Sequence, residues 1–442
     1  MSDRTRESTE RLDAIAREIQ DSYPGDGPDR QPVHTMYGGG HLFRPDTASK
    51  LGGIAQRHVE QWIPDGASLA HALDIDEEMA DELLERIGHK LTVEPVEDYR
   101  LDFEDGYGNR LDEEEDTDAA AAANAVAQGK ADGTLPPFVG IRVKSLGGDT
   151  HRRSLRTLQI FLDSLTENGP PPDNFVITLP KITHPDQVAI FDEVLTEHEA
   201  RIGIDRVPIE LMVETPQMVI DGDGLMGPRR YVDAGYGRVR GAHFGTYDYT
   251  ASMGITANYQ TMDHPACVFA RDVMAVALAG TGVWLSDGAT NVMPVPVHRG
   301  DDLSATEVEE NRRSIHDAWR LHFDNVRHSL FHGFYQGWDL HPAQLVTRYA
   351  AVFSFFMEGV DQAGARLNNF VEQAAKATLV GDVFDDAATG QGLLNYFLRA
   401  INSGAMDEAE ATCRTGLSTE ELRTRSFLTI LEGRRQSQPS ER

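Results

Sequence analysis

The chain is poor in cysteine, poor in lysine and free of long apolar runs. Its two cysteines, Cys267 and Cys413, stand far apart without metal-ligand spacing. That argues against a disulfide scaffold or a thiolate metal centre and fits two reduced thiols in a cytoplasmic protein. No stretch approaches the ~18 consecutive apolar residues that a membrane-spanning helix needs. Residues 1–20 are charged and have no apolar centre, so they do not read as a signal peptide. Lysine occurs six times, at 50, 90, 130, 144, 181 and 376, and arginine supplies the other 35 of the 41 basic residues. The formal net charge of −30 disfavours nucleic acid and anionic membranes as partners, because both would be repelled. Small anions remain allowed, since an arginine or a metal reverses the field inside a cleft. An acidic, lysine-poor surface is compatible with life at high salt, and a high-GC genome gives the same bias.

What is present is enough for a large core. The 442 residues are 40% hydrophobic and include 12 Met, 18 Phe and 4 Trp. That length fits one large barrel with an extension, or two ordinary domains. Short apolar runs bounded by turn residues alternate with helical patterns along the first three quarters of the chain. Strands are expected at 32–37, 96–103, 137–143, 175–179, 209–213, 241–247, 283–285 and 337–340. Helices are expected at 6–20, 47–61, 66–89, 155–165, 185–199, 264–279 and 304–332. The acidic run Asp112–Asp118 reads as the front of an alanine-rich helix, where acids suit the dipole. This alternation predicts a parallel sheet with crossover helices, and eight strands predict a (β/α)8 TIM barrel over residues 1–345. Residues 346–432 are strand-poor and read as a helical C-terminal extension, with helices at 345–358, 360–378, 391–403, 407–414 and 418–432. Residues 433–442 read as a disordered tail.

Two acids stand out in that pattern. Glu214 closes Ile209–Val213, and Asp248 closes the run from Gly241 to Tyr247. A carboxylate at the end of a buried strand is costly to desolvate unless something neutralises it. Each alone is compatible with a solvated strand-end acid. Together, on neighbouring strands, they can share a divalent cation, and oxygen-only ligation suits Mg²⁺.

The motifs, in order, resemble the HpcH/HpaI aldolase and citrate-lyase-β-subunit superfamily of phosphoenolpyruvate/pyruvate-binding barrels. Leu101-Asp102-Phe103-Glu104-Asp105-Gly106 resembles its strand-two acidic signature, and Gly140-Ile141-Arg142-Val143 its strand-three arginine. Leu179-Pro180-Lys181-Ile182, Val213-Glu214-Thr215-Pro216 and Phe244-Gly245-Thr246-Tyr247-Asp248 resemble its strand-four, strand-five and strand-six ends. Leu340-His341-Pro342-Ala343-Gln344 resembles the His-Pro-x-Gln that closes the citrate-lyase-like branch. Lys144 stands where an asparagine is usual, and Gly38-Gly39-Gly40 replaces a Pro-Gly loop, which marks a divergent subfamily.

The resemblance implies Mg²⁺ (or Mn²⁺) held by Glu214 and Asp248, with Arg142 as electrophilic partner at a developing enolate oxygen. Gly245 permits close backbone approach before Asp248, and the amides around Thr246 and Tyr247 can hold a substrate carboxylate or else form an ordinary tight turn. Arg142 can equally pair with Asp102 or Glu104, and the two roles are compatible. Glu104 and Asp105 fit roles in orienting metal-bound water or Arg142, or in relaying a proton. Lys181 reads as a structural or anion-pairing group, with Schiff-base chemistry as the competing role. His341 reads as a buttress for the eighth strand. For the general base, Asp385 and Asp386 are placed in a loop that can swing over the barrel mouth, or else they cap and front a helix.

The function so implied is a metal-dependent carbon–carbon lyase or aldolase acting on a 2-oxo acid or its aldol adduct. The alternative is a CoA-thioester lyase or a malate-synthase-like condensation with glyoxylate. A third reading, from a different class, is a non-catalytic ligand-binding barrel. Trimers or hexamers are expected by analogy alone.

Overall fold

The computed structural model describes residues 3–167, 169–376 and 384–437. Eight parallel strands close into one barrel in chain order. They are β1 (His34–Gly39), β2 (Asp98–Asp102), β3 (Phe138–Arg142), β4 (Phe175–Leu179), β5 (Ile209–Val213), β6 (Val239–Phe244), β7 (Trp284–Ala289) and β8 (Gln336–Asp339). The last strand returns to the first, with His34 opposite Gly337 and Met36 opposite Asp339. The expected TIM barrel is therefore the fold.

Strand alternation sorts the side chains. On β2, Tyr99 and Leu101 point outward into the apolar layer between sheet and helices. Asp98, Arg100 and Asp102 point inward. On β5, Glu210 faces inward between the outward Ile209 and Leu211. The barrel interior is thus built from charge where TIM barrels ordinarily stack branched aliphatics. Arg100 is fully buried; it pairs with Asp98 and Glu210 and donates to Thr178 Oγ1 at 2.9 Å. Gly140 on β3 makes room for it, since a Cβ there would lie 3.1 Å from Arg100 Nη1 and 2.3 Å from Val176 O.

Several boundaries differ from the sequence expectation. β6 stops at Phe244, because Thr246 starts a short helix, Thr246–Ser252. Asp248 therefore sits in the first turn of that helix and does not end a strand. β7 runs on to Ala289, past the apolar Val283–Leu285, because its inward residues are polar. The helix expected at 66–89 is two, Gly66–Leu73 and Glu77–Val93, broken where Asp74 takes φ +54°. The stretch 418–432 likewise splits into Thr419–Arg423 and Phe427–Ser437, so helix continues into the residues expected to be a tail.

After β8 the helix Gln344–Met357 is buried nearly all round, and four further helical elements follow it up to Arg423. They return to the N-terminal end of the barrel. Asn402 Oδ1 accepts from Gln31 N–H at 3.0 Å, just before β1 begins. No described helix is long and apolar enough to cross a membrane.

Candidate active site

The C-terminal ends of β2 to β6 bring most of the sequence-selected residues into one cluster. Arg142, the last residue of β3, is buried. Its Nε and Nη2 grip Asp102 Oδ1 and Oδ2 at 2.7 and 2.5 Å, and Nη1 lies 3.4 Å from Glu104 Oε2. The guanidinium also lies over the rings of Tyr37 (4.9 Å) and Trp338 (5.9 Å), contributed by β1 and β8. Burial works against its charge, but Asp102 and Glu104 more than offset this and push its pKa above the ordinary arginine value. Arg142 is thus a fixed cation with its planar fork already oriented.

Lys181 follows Pro180 at the end of β4 and takes φ +52°, in the left-handed region that L side chains rarely occupy. That conformation lets one residue serve two groups. Its N–H donates to Glu214 Oε1 at 2.6 Å. Its ammonium pairs with Glu104, contacts both Asp105 oxygens at 2.9 Å, and stands 3.7 Å from Asp248 Oδ2. Burial alone would lower its pKa; the bonds to Glu104 and Asp105 reverse that and hold it protonated. A protonated amine cannot attack a carbonyl, so this environment favours anion pairing over Schiff-base chemistry.

Glu214 directly follows β5 and is 1% exposed. Burial and the charge of Asp248 push its pKa up to about 8, against the opposing pull of Arg142. Gly245 explains how the next strand end approaches so closely. A Cβ at Gly245 would lie 2.5 Å from Glu214 Cβ and 2.6 Å from its Oε2. The Gly245 N–H is already used, donating to Val213 O at 3.0 Å. The N–H groups of Thr246 and Tyr247 lie in the first helical turn, where no intrahelical acceptor exists. Thr246 Oγ1 is buried and has no partner among the described residues. The Tyr247 hydroxyl is a rim strut: it donates to Ala289 O at 2.8 Å and accepts from Asn291 N–H at 3.0 Å.

Glu214 and Asp248 fit a hard divalent cation on their chemistry. One is a buried carboxylate whose ionisation is opposed by the other, and the nearest cations, Arg142 and the Lys181 ammonium, are already engaged by Asp102, Glu104 and Asp105. Two carboxylates leave the rest of the shell to water and substrate. Among the described residues no group of three or more His, Cys, Asp or Glu side chains is arranged to hold a metal.

The remaining sequence candidates fall elsewhere. Asp385 and Asp386 belong to the helix Phe384–Asn402, and not to a loop; their side chains lie outside the described residues. His341 caps the turn after β8, its Nδ1 accepting from Ala343 N–H at 3.2 Å. Gln344 Oε1 accepts from Leu340 and His341 N–H at 2.8 and 3.1 Å, so the His-Pro-x-Gln segment ties its own backbone. Sequence reading missed the layer beneath the mouth. His243 lies inside the barrel, 3.1 Å from Glu210 Oε2, and its Nδ1 accepts from Trp338 Nε1 at 3.3 Å. The available signal was charge at alternate positions of β2 and the lone acid Glu210 within the apolar β5.

Comparison with solved structures places the fold. A citrate lyase from Burkholderia xenovorans LB400 is similar at 18% identity and a TM-score of 0.53, over 88% of this chain and 97% of that one. A malate synthase from Haloferax volcanii, in a magnesium/glyoxylate complex, is 14% identical with a TM-score of 0.45, over 92% and 98%. An HpcH/HpaI aldolase from Desulfitobacterium hafniense is 12% identical with a TM-score of 0.34, over 75% and 93%. The first likeness supports the fold and leaves the reaction open; the other two are too distant to carry an argument. The shared fold agrees with the resemblance read from the motifs. No curated protein matches the chain in sequence. Residues 12–430 match the model of one family over nearly the whole chain, and the chain belongs to that family: the Domain of unknown function DUF6986.

Proposed function

We propose that this barrel is a Mg²⁺- or Mn²⁺-dependent carbon–carbon lyase that makes or releases the enolate of a 2-oxo acid. The observation that carries the reading is the meeting of a buried, proton-retaining Glu214 with Asp248 and the fixed Arg142 cation at the C-terminal mouth, where TIM-barrel active sites sit. Glu214 and Asp248 would hold the cation. When bound, it supplies Lewis-acid stabilisation of negative charge on the substrate's carbonyl oxygen. Arg142 supplies a second, permanent positive charge at the mouth, oriented by Asp102, so that little reorganisation is needed as charge develops. Lys181 and the free amides of Thr246 and Tyr247 favour an anionic substrate. Glu104 and Asp105, bridged by Lys181, set the position of that ammonium.

The test is thermal stabilisation of the purified protein by pyruvate, oxaloacetate, glyoxylate and acetyl-CoA, with and without Mg²⁺, in wild type and Asp248→Asn. Cation-dependent stabilisation by a 2-oxo acid, lost in the variant, is the expected result. Stabilisation by acetyl-CoA together with glyoxylate would move the reading to thioester condensation. No effect of the cation on wild type would overturn both.

A further inference from the structure

At the opposite end of the barrel, a cavity of about 650 Å³ opens between the segment entering β1 and the C-terminal helices. Its walls combine apolar Leu398, Ile401 and Leu422 with four cations, Arg30, Lys90, Arg423 and Arg425, against two acids, Glu94 and Glu408. Three of those cations are matched. Arg30 and Lys90 both pair with Glu94 and Glu97, and Arg423 lies 3.0 Å from Glu408. Arg425 is not: its half-buried side chain has no hydrogen bond or ion pair among the described residues. Its backbone sits at φ +54°, in the left-handed region, between two short helical elements. Burial lowers its pKa, and the more distant Asp26 and Asp29 offset this only in part. It also walls an adjoining cavity of about 420 Å³, which shares Pro28 and Leu398 with the first.

Arg57, Arg152 and Arg313 also lack an ion pair among the described residues, but they are exposed, whereas Arg425 is half-buried. It stands without a carboxylate partner, partly shielded from water, at a cavity wall. A planar fork in that state suits a phosphate or carboxylate oxygen pair, and the apolar wall suits an organic body attached to it.

We propose that this cavity is a second ligand site, separate from the barrel mouth, that binds an organic phosphate of nucleotide size with its phosphate on Arg425. The site does not depend on the reaction proposed above.

The experiment uses the full chain with AMP as probe and adenosine as the uncharged control, at matched ionic strength, by isothermal titration calorimetry. Three proteins are compared: wild type, Arg425→Gln and Asp248→Asn. Expected is saturable AMP binding to wild type, at least tenfold weaker adenosine binding, and at least tenfold loss of AMP affinity in Arg425→Gln. Asp248→Asn should bind AMP as wild type does. A melting curve of ligand-free Arg425→Gln checks folding; should it be unfolded, Arg425→Lys replaces it, with an intermediate affinity expected. Equal binding of AMP and adenosine, AMP affinity unchanged by either Arg425 substitution, or no AMP binding at all would overturn the proposal. Loss of AMP binding in Asp248→Asn would place the ligand at the barrel mouth and overturn it equally.

Discussion

The backbone N–H of Lys181 donates to Glu214 Oε1 across 2.6 Å while the same residue's ammonium pairs with Glu104. One residue thereby links the end of β4 to the carboxylates that follow β2 and β5. Removing its charge leaves Glu104, Asp105 and Asp248 facing one another. Lys181→Met is expected to destabilise the protein by about 1–3 kcal/mol at low salt, and by less at high salt. Denaturant melts at two ionic strengths measure it. A variant as stable as wild type at low salt would mean that the ammonium does not balance these acids.

The raised pKa of Glu214, about 8, has a definite sign. Unfolded, the group releases its proton near an ordinary carboxylate value; folded, it keeps it until about pH 8. The folded state thus binds the extra proton, and stability falls as pH rises between those two values. In EDTA the melting temperature is expected to drop across that window, and Glu214→Gln is expected to flatten the drop. Cations compete with the same proton, so Mg²⁺ affinity should rise with pH up to about 8 and then level off. Calorimetric titration at several pH values reads this directly.

Arg142 is held on two of its three guanidinium nitrogens by Asp102. Replacing it with glutamine leaves Asp102 buried without its cation, a change expected to cost about 3–5 kcal/mol. Arg142→Lys keeps the charge but not the fork, and should fall between the two. Urea melts of the three proteins give the order, which a loosely held arginine would not produce.

Deeper in the barrel, Arg100 and Glu210 form a pair whose members are nearly inaccessible to solvent. Either single change, Arg100→Met or Glu210→Gln, is expected to cost about 3–5 kcal/mol, because each strands a buried charge. The double variant should cost less than the sum of the singles. A double-mutant cycle measures the coupling, and additive singles would refute it.

The barrel was legible because short turn-bounded runs, most of them apolar, alternate with helical patterns, and Glu214, Arg142 and Lys181 were legible because each lies at the end of such a run. The end of β6 was misplaced because Phe244-Gly245-Thr246-Tyr247 continues the apolar pattern while the backbone has already turned into helix. β7 was read too short for the converse reason, its inward face carrying Ser286 and Gly288. The grip of the Lys181 ammonium on Glu104 and Asp105 was not legible. It depends on a positive φ and on residues 76 or 77 positions away along the chain. Residues in the extension were harder still, since nothing local in Arg425 tells that it lacks a partner.

The charged interior has a consequence for how such a chain can change. An aliphatic barrel accepts substitutions one at a time, because a lost methylene leaves a void that neighbours partly fill. Here Asp98, Arg100, Glu210 and His243 satisfy one another in sequence. A change at any of them commits the others, so the interior can be rewritten only in concert. Descendants of this chain should therefore either keep the quartet whole or exchange it whole for apolar residues.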